Sequence, residues 1–131
     1  MTFKLKEWIA KITARLSEET DYVIENGTKS DWTYRKWKSG KKEAWKRFTV
    51  TGSATSSAGS TYRSTFSFSI PSGIFSSTPS CTYLTISNAY NNVISIQGNA
   101  SSATAVSGNI FRTTASTSTY TVYVSAYIVD N

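Results

Sequence analysis

Side chains that could carry out acid–base or metal chemistry are concentrated at the start of this 131-residue sequence. It contains no histidine, its one cysteine is Cys81, and no aspartate or glutamate lies between Glu43 and Asp130. A hydrolytic or phosphoryl-transfer site needs a general base, a pair of carboxylates or a set of metal ligands. A serine nucleophile would need a lysine base, and no lysine follows Lys46. The sequence therefore predicts a protein that is not an enzyme and that holds no metal or other cofactor.

The positive charge is concentrated in the first 50 residues, where it could serve to bind an anionic polymer. Residues 51–131 are rich in serine and threonine and carry only Arg63, Arg112 and Asp130 as charged residues. Cations interleaved with Trp and Tyr in residues 31–50 could contact a nucleic acid or an acidic wall polymer such as teichoic acid. The alternative is a structural hairpin that buries its aromatic face and leaves its lysines in solvent.

A second candidate site is the set of asparagine-rich turns, namely Asn88, Tyr90-Asn91-Asn92, Asn99 and Asn109. Its uncharged amides and its aromatic ring could bind a neutral glycan through hydrogen bonds and stacking. Ordinary turn residues are the alternative explanation of these side chains, and the composition of the segment favours it. If the binding hypothesis holds, Tyr90, Asn91 and Asn92 are candidate contacts for a glycan of a cell surface.

Residues 1–20 are predicted to form a short amphipathic helix. Leu5, Ile9, Ile12 and Leu16 are spaced four, three and four residues apart, which is also the spacing of a heptad seam. A helix of two heptads is too short to hold an oligomer by itself. It could pack on its own domain, or it could begin an oligomer or attach to another protein. The first residues do not resemble a signal peptide, and no apolar stretch is long enough for membrane insertion.

Residues 21–50 are predicted to form an aromatic, basic β-hairpin that serves as a neck. Asn26-Gly27 predicts a tight turn after a first short strand, and Ser39-Gly40 is the predicted loop of the hairpin. A two-residue loop sets three opposing pairs on one face of the hairpin. The pairs are Lys36 with Glu43, Tyr34 with Trp45, and Trp32 with Arg47.

Residues 51–131 are predicted to form the tip domain, an antiparallel β-sandwich of jelly-roll type, so the chain as a whole is mainly β. The small polar residues 51–60 are expected to form a flexible loop or linker. Apolar and polar residues alternate over residues 62–70, which predicts a half-buried strand. Gly98-Asn99 and Gly108-Asn109 predict turns between shorter strands.

The last predicted strand covers residues 120–129 and places every second residue on one buried face, namely Tyr120, Val122, Val124, Ala126 and Ile128. Cys81 is expected to be a small, half-buried core residue. Few charged side chains protect the strand edges of this domain, and about 80 residues give a thin core. Packing of identical chains would relieve both problems, so a homo-oligomer is predicted.

The segment from Asp21 to Trp45 contains three short motifs in succession. They are Val23-Ile-Glu-Asn-Gly-Thr28, Trp32-Thr-Tyr-Arg-Lys-Trp-Lys-Ser-Gly40 and Glu43-Ala-Trp45. This segment resembles a recurrent segment of tail-fibre and minor structural proteins from phages of Gram-positive bacteria, in which a Ser/Thr-rich β-structured tip follows. The framework residues of the motif are Trp32, Tyr34, Arg35, Lys36, Trp37, Gly40 and Trp45. Lys41 and Lys42 depart from the family, which usually has apolar or small residues there.

The resemblance implies a virion structural protein, a component of a fibre or of the tail tip, that is produced in the host cytoplasm. It also implies a homotrimer that contacts other virion proteins and whose β-sandwich meets a glycan of the host surface. Because the aromatic residues match the family's framework, a structural role of the basic hairpin is favoured, and nucleic acid is not favoured as a partner. Two alternatives stay open: a monomeric carbohydrate-binding module, and binding of a nucleic acid or anionic polymer through the hairpin.

Overall fold

The computed structural model describes residues 2–54, 56–87, 93–113 and 116–131. Within these residues one helix is followed by nine strands, so the predicted mainly β fold is confirmed. The elements are α1 (Thr2–Glu19), β1 (Val23–Lys29), β2 (Trp32–Trp37), β3 (Lys42–Ala54), β4 (Ser56–Ala58), β5 (Thr61–Ser69), β6 (Cys81–Ser87), β7 (Val93–Ser102), β8 (Ala105–Arg112) and β9 (Ser116–Asp130).

The strands form two antiparallel sheets that pack as a sandwich, as predicted. One sheet has five strands in the order β1-β2-β3-β9-β6, and the other has four in the order β4-β5-β8-β7. The long strands β3 and β9 pair from Lys42 opposite Asp130 to Ala54 opposite Ser116. The change in composition near Gly52 therefore falls inside β3, and the aromatic strands belong to the same sheet as the last strand.

The core lies between the two sheets, where each strand contributes one of its two alternating faces. Val122, Val124, Ala126 and Ile128 of β9 are all buried, which confirms the inward face predicted for these four residues. In β5, buried Phe66 lies between exposed neighbours, so the predicted half-buried strand is also confirmed.

Trp32 is the largest fully buried side chain, with 1% of its surface exposed. Its indole packs edge-on against Phe48 with the ring centroids 5.3 Å apart, and Phe48 stacks on Phe68 of the other sheet at 3.7 Å. The indole Nε1–H donates a hydrogen bond of 2.9 Å to the backbone oxygen of Ser69, also in the other sheet. Trp32 therefore joins the two sheets through both apolar packing and a hydrogen bond.

The predicted register of the hairpin is wrong by one residue. None of the three predicted pairs is in register: Lys36 with Glu43, Tyr34 with Trp45, and Trp32 with Arg47. Instead, Tyr34 lies opposite Ala44 and Arg35 lies opposite Glu43. Because a shift of one residue reverses the face on which a side chain lies, Tyr34 is in the core while Trp45 is on the outer face.

The cause of this shift is the loop, which has three residues (38–40) rather than two. The amide of Trp37 donates to the backbone oxygen of Lys41 at 2.9 Å, and the amide of Gly40 donates to that of Trp37 at 3.0 Å. Gly40 has a φ of 95°, the left-handed conformation that closes a three-residue hairpin loop. Gly40 was correctly predicted to lie in the loop, but it is the third of three loop residues rather than the second of two.

The predicted turn at Asn26-Gly27 is also wrong, because both residues lie inside β1. The chain turns at Ser30 and Asp31, which have φ values of 47° and 65°, as a type I′ turn requires. A Cβ at Gly27 would lie 3.2 Å from the hydroxyl oxygen of Tyr34. Gly27 thus makes room for a tyrosine, and β1, β2 and β3 form a three-stranded meander.

Residues 51–60, predicted to be a flexible loop or linker, are mostly strand in the described part of the chain. They contain the end of β3 and all of β4, followed by a tight turn at Gly59, which has a φ of 64°. Thr51 pairs with Thr121 of β9, and their hydroxyl oxygens lie 3.1 Å apart. Threonine suits the solvent-facing side of a strand, so composition alone gave the wrong structure here.

Gly98 and Gly108, predicted to mark turns, lie opposite each other in the interiors of β7 and β8. A Cβ on Gly108 would lie 2.1 Å from the backbone oxygen of Gln97 and 2.8 Å from the ring of Phe66. A Cβ on Gly98 would lie 2.6 Å from the backbone oxygen of Ser107. These glycines therefore permit a close approach of two strands rather than a reversal of the chain.

Cys81 is exposed, so its predicted place in the core is wrong. It begins β6, an edge strand of the five-stranded sheet, and lies opposite Val129. The partly buried Thr82, Leu84 and Ile86 alternate with exposed residues along β6. Because Cys81 is one residue before this inward series, it lies on the outer face.

Candidate functional site

The outer face of the five-stranded sheet carries three aromatic side chains in one row across adjacent strands. Trp45 of β3 lies opposite Tyr127 of β9, and Tyr127 lies opposite Tyr83 of β6. The ring centroids are 6.3 Å apart for the first pair and 6.1 Å for the second, with interplanar angles of 37° and 36°. We call these three residues the aromatic platform. Cross-strand aromatic contacts of this kind stabilise the sheet and hold the rings in place.

Two arginines flank the aromatic platform. The guanidinium carbon of Arg35 lies 4.9 Å from the ring centroid of Trp45 and 5.7 Å from that of Trp37. The guanidinium carbon of Arg47 lies 4.3 Å from the ring centroid of Tyr123. Because a guanidinium group is attracted to the face of an aromatic ring, both arginines are held beside the platform, where the side chain of Arg35 is 42% exposed and Arg47 is exposed.

The platform lies in an open cleft of about 460 Å³. Tyr83 is its most accessible ring, with 58% of the residue exposed. The other residues that line the cleft are Arg35, Lys46, Arg47, Thr85, Ser125 and Ala126. Of these, Arg35 and Arg47 place their guanidinium groups beside the platform, whereas Nζ of Lys46 is hydrogen-bonded to Ser30, and none of the described lining residues is a carboxylate. The two guanidinium groups outweigh the one neighbouring carboxylate, that of Glu43, so the net charge around the cleft is positive and favours an anionic ligand.

Glu43 lies next to the platform and connects several of its side chains. Its side chain is only 4% exposed. The carboxylate accepts a hydrogen bond of 2.8 Å from Nε1 of Trp37 and another from the hydroxyl of Tyr127. It also forms ion pairs with Nε of Arg35 at 3.1 Å and with Nζ of Lys41 at 3.3 Å. One buried carboxylate thus fixes the positions of four side chains in or beside the platform.

The protonation states of this cluster are fixed at neutral pH. Burial by itself would raise the pKa of Glu43, but hydrogen bonds from Tyr127, Trp37 and Lys41 and the charge of Arg35 lower that pKa to about 2. Burial and the hydrogen bond to Glu43 raise the pKa of Tyr127 to about 12. Glu43 is therefore ionised and Tyr127 keeps its proton, a pair suited to holding a surface in place rather than to transferring protons.

The structure divides the framework residues of the motif between the core and the platform. Trp32 and Tyr34 are buried between the sheets, and the hydroxyl of Tyr34 donates to Glu25 at 3.0 Å. Gly40 shapes the hairpin loop. Trp45 belongs to the platform, Arg35 and Trp37 lie beside it, and Lys36 lies on the inner side of β2 and pairs with Glu25 at 3.4 Å.

Three lysines of the basic hairpin donate hydrogen bonds to the protein itself. Lys36 donates to the backbone oxygen of Gly73 at 2.8 Å, Lys42 to the hydroxyl of Ser76 at 3.2 Å, and Lys46 to the backbone oxygen of Ser30 at 3.2 Å. These contacts tie β2 and β3 to neighbouring loops. They favour the structural explanation of this positive charge.

The other predicted site residues are not brought to the platform. Asn88, Tyr90, Asn91 and Asn92 lie outside the described residues, and Asn99 and Asn109 lie in β7 and β8 of the other sheet. In α1, Leu5, Ile9 and Ile12 of the predicted seam are exposed, as is Trp8. Leu16 lies in the helix, but its side chain is not among those described.

Sequence reasoning missed two of the three platform residues, Tyr83 and Tyr127, whereas Arg47 was among the cations of residues 31–50 predicted to be able to contact an anionic polymer. A signal was present for Tyr127, because Tyr123 and Tyr127 alternate with the buried residues of β9 and must face outward. No comparable signal marks Tyr83, because β6 becomes a neighbour of β9 only through the topology of the sheet.

Comparisons with models of known families, with characterised proteins and with solved structures found no match. Among the described residues, no three His, Cys, Asp or Glu side chains lie close enough together to hold a metal ion. The helix in that part of the chain is not apolar enough to cross a membrane.

Proposed function

We propose that the chain is a non-enzymatic binding protein whose aromatic platform contacts an anionic glycan, such as an acidic polymer of a bacterial surface. The observation that carries this proposal is the row Trp45, Tyr127 and Tyr83 between Arg35 and Arg47. Aromatic rings offer a flat apolar surface to the apolar face of a sugar ring. Guanidinium groups bind phosphate or carboxylate oxygens through paired hydrogen bonds. The combination suits a ligand that has both sugar rings and negative charges.

The resemblance of residues 21–45 supports a setting for this activity. It favours a virion protein, a fibre or tail-tip component of a phage that infects Gram-positive bacteria. In that setting the sandwich is the head that meets the host surface, and α1 joins copies of the chain, in a homotrimer, or attaches them to other virion proteins.

Tyr83→Ala is expected to weaken binding of an acidic glycan at least tenfold. The substitution removes the most exposed ring of the platform and leaves the hydrogen bonds of Glu43 intact. The measurement is a glycan array that includes teichoic acids and acidic polysaccharides, followed by calorimetric titration of the strongest acidic ligand. Tyr22→Ala is the matched control, because Tyr22 is 45% exposed and is not among the residues that line the cleft.

Arg47→Gln, compared with Arg63→Gln on the other sheet, tests the charge of the same site. We expect the change at Arg47 to weaken binding and to make it less sensitive to salt, with little effect at Arg63. Equal losses for Tyr22→Ala and Tyr83→Ala, or no acidic glycan bound by the wild-type chain, would contradict the proposal. Duplex DNA serves as a second polyanion, and binding to it as tight as to the glycan would show recognition of charge alone.

The proposed assembly predicts a particle of three times the 14.4 kDa chain mass at micromolar concentration. Exposed Leu5 and Ile9 are placed on one side of α1, where other copies would cover them. The substitutions Leu5→Lys and Ile9→Lys together are expected to reduce the mass to that of one chain, measured by analytical ultracentrifugation. Lys4→Ser with Lys11→Ser is the control at other positions of the helix. A wild-type chain that is monomeric at this concentration would rule out the trimer.

A further inference from the structure

The outer face of the four-stranded sheet carries a second open cleft, of about 510 Å³, on the side of the sandwich opposite the platform. It is formed by residues of β5, β7 and β8. The outward side chains that line it are all polar and uncharged: Thr65, Gln97, Asn99, Ser107 and Asn109. We call this set the amide groove.

The side chains of the amide groove form two neighbouring rows across the sheet. Asn109 lies between Thr65 and Gln97, and Ser107 lies opposite Asn99. Positions two residues apart on a strand are about 6.6 Å apart, since each residue rises about 3.3 Å. All five positions are in paired strands, where side-chain positions are better defined than in loops. The groove therefore offers a regular grid of hydrogen-bonding groups.

The chemistry of the groove matches an uncharged saccharide. Each amide side chain has both donors and an acceptor, and each hydroxyl can donate or accept. The hydroxyl groups of a sugar have the same dual capacity. An anionic ligand would find no cation among the lining residues, and a cationic ligand would find no carboxylate. The nearest charged side chain along β5, Arg63, lies outside the lining.

Asn109, at the centre of one row, has an acceptor that none of the described residues uses. Its Oδ1 is shielded from solvent, and no donor within the described part of the chain forms a hydrogen bond with it. A buried acceptor without a donor is unfavourable. Because no hydrogen bond at Oδ1 would have to be broken, the amide can turn toward a ligand hydroxyl that supplies the missing donor.

The floor of the groove is held by the core beneath it. Gly98 and Gly108 bring β7 and β8 together, and the ring of Phe66 packs so closely that a Cβ on Gly108 would lie 2.8 Å from it. Leu84 of the other sheet packs in the same way beneath Gly98, where a Cβ would lie 3.0 Å from its side chain. A dense core of this kind resists deformation, so the spacing of the polar groups above it is fixed before a ligand arrives.

We propose that the amide groove is a second binding site, which takes an uncharged saccharide and acts independently of the aromatic platform. The two sites lie on different sheets and select ligands of different charge. The proposal therefore does not depend on the function proposed for the platform, and either can fail without the other.

The test is a titration of the ¹⁵N-labelled full chain with short neutral oligomers of hexose and of N-acetylhexosamine. We expect shifts in the side-chain amide signals of Gln97, Asn99 and Asn109 for at least one of these ligands. The double substitution Gln97→Ala and Asn109→Ala is expected to weaken that ligand at least tenfold. Asn26→Ala, an exposed amide on the other sheet, is the matched control and is expected to leave the affinity unchanged.

Several outcomes would overturn the proposal. They are the absence of any shift at the three groove amides, an unchanged affinity in the double variant, and shifts caused only by acidic oligosaccharides. If the double variant does not fold, Gln97→Ala alone carries the comparison, because Gln97 is exposed. Tyr83→Ala separates the two sites: it is expected to leave neutral ligands unaffected while weakening acidic ones.

Discussion

Trp32→Ala is expected to lower the free energy of unfolding by about 4 kcal/mol, in the range found for buried tryptophan and phenylalanine. The substitution leaves a cavity where the indole packs against Phe48, next to the stack of Phe48 on Phe68. It also deprives the backbone oxygen of Ser69 of its donor. The measurement is urea unfolding at neutral pH, followed by circular dichroism.

Trp45→Ala is the matched control, because it removes the same side chain from the outer face of the same sheet. Trp45 is only half-buried, so about 1.5 kcal/mol is expected from the smaller apolar area that it covers. Equal losses at Trp32 and Trp45 would contradict the assignment of one tryptophan to the core and the other to the binding face. Circular dichroism of each folded variant checks that the sheet remains.

Glu43→Gln is expected to cost about 3 kcal/mol of stability at neutral pH, because it breaks a buried cluster of charge-assisted hydrogen bonds. Glu43 is also expected to make the stability of the wild-type chain fall in acid. The pKa of Glu43 falls from an ordinary 4.5 to about 2 on folding, so its contribution is complete above about pH 4.5 and is lost as the pH falls toward 2. That difference corresponds to about 3 kcal/mol, at 1.36 kcal/mol for each pKa unit.

Urea unfolding at several values between pH 7 and pH 2 measures this effect. Glu43→Gln is expected to remove most of the dependence on pH in that interval. Glu25→Gln is the control, because its carboxylate is half exposed and its hydrogen bond to Tyr34 lies near the edge of the sheet. A Glu43→Gln variant that loses stability in acid as steeply as the wild type would show that other carboxylates are responsible.

Alternation of apolar and polar residues correctly predicted the strands that have one buried face and one exposed face. Phe66 and Phe68 in β5 and the valines of β9 were placed correctly, because burial of one face is a property of the strand itself. Glycines were less informative. Gly27, Gly98 and Gly108 each occur in a strand because an atom of another strand lies close to where a Cβ would be, and such contacts are set by the pairing and packing of strands. A local pattern cannot distinguish such a glycine from one that makes a turn.

The candidate site was predictable only in part, for the same reason. Arg35 and Trp45 belong to one continuous segment, which drew attention to them. The platform is completed by Tyr127 and Tyr83, which reach it because β9 lies between β3 and β6. The one-residue error at Gly40 had a further effect, because it placed Tyr34 and Trp45 on the same face. The amide groove was predictable in part: Asn99 and Asn109 were among the amides expected to contact a neutral glycan, but Gln97, Thr65 and Ser107 join them only through the pairing of β5, β8 and β7.

The position of β9 has a consequence for biosynthesis. It is later in the chain than every other strand described, yet it pairs with β3 on one side and β6 on the other. During translation, β3 and β6 therefore each lack a pairing partner on one side. The five-stranded sheet cannot form completely until residues 116–130 have left the ribosome. Contacts between such distant parts of a chain form slowly, and unpaired strands are prone to aggregate in the meantime. A truncated mRNA that ends before the codons of β9 would thus yield a chain in which β3 and β6 both have an unpaired edge. Such a chain would be a substrate for chaperones and proteases.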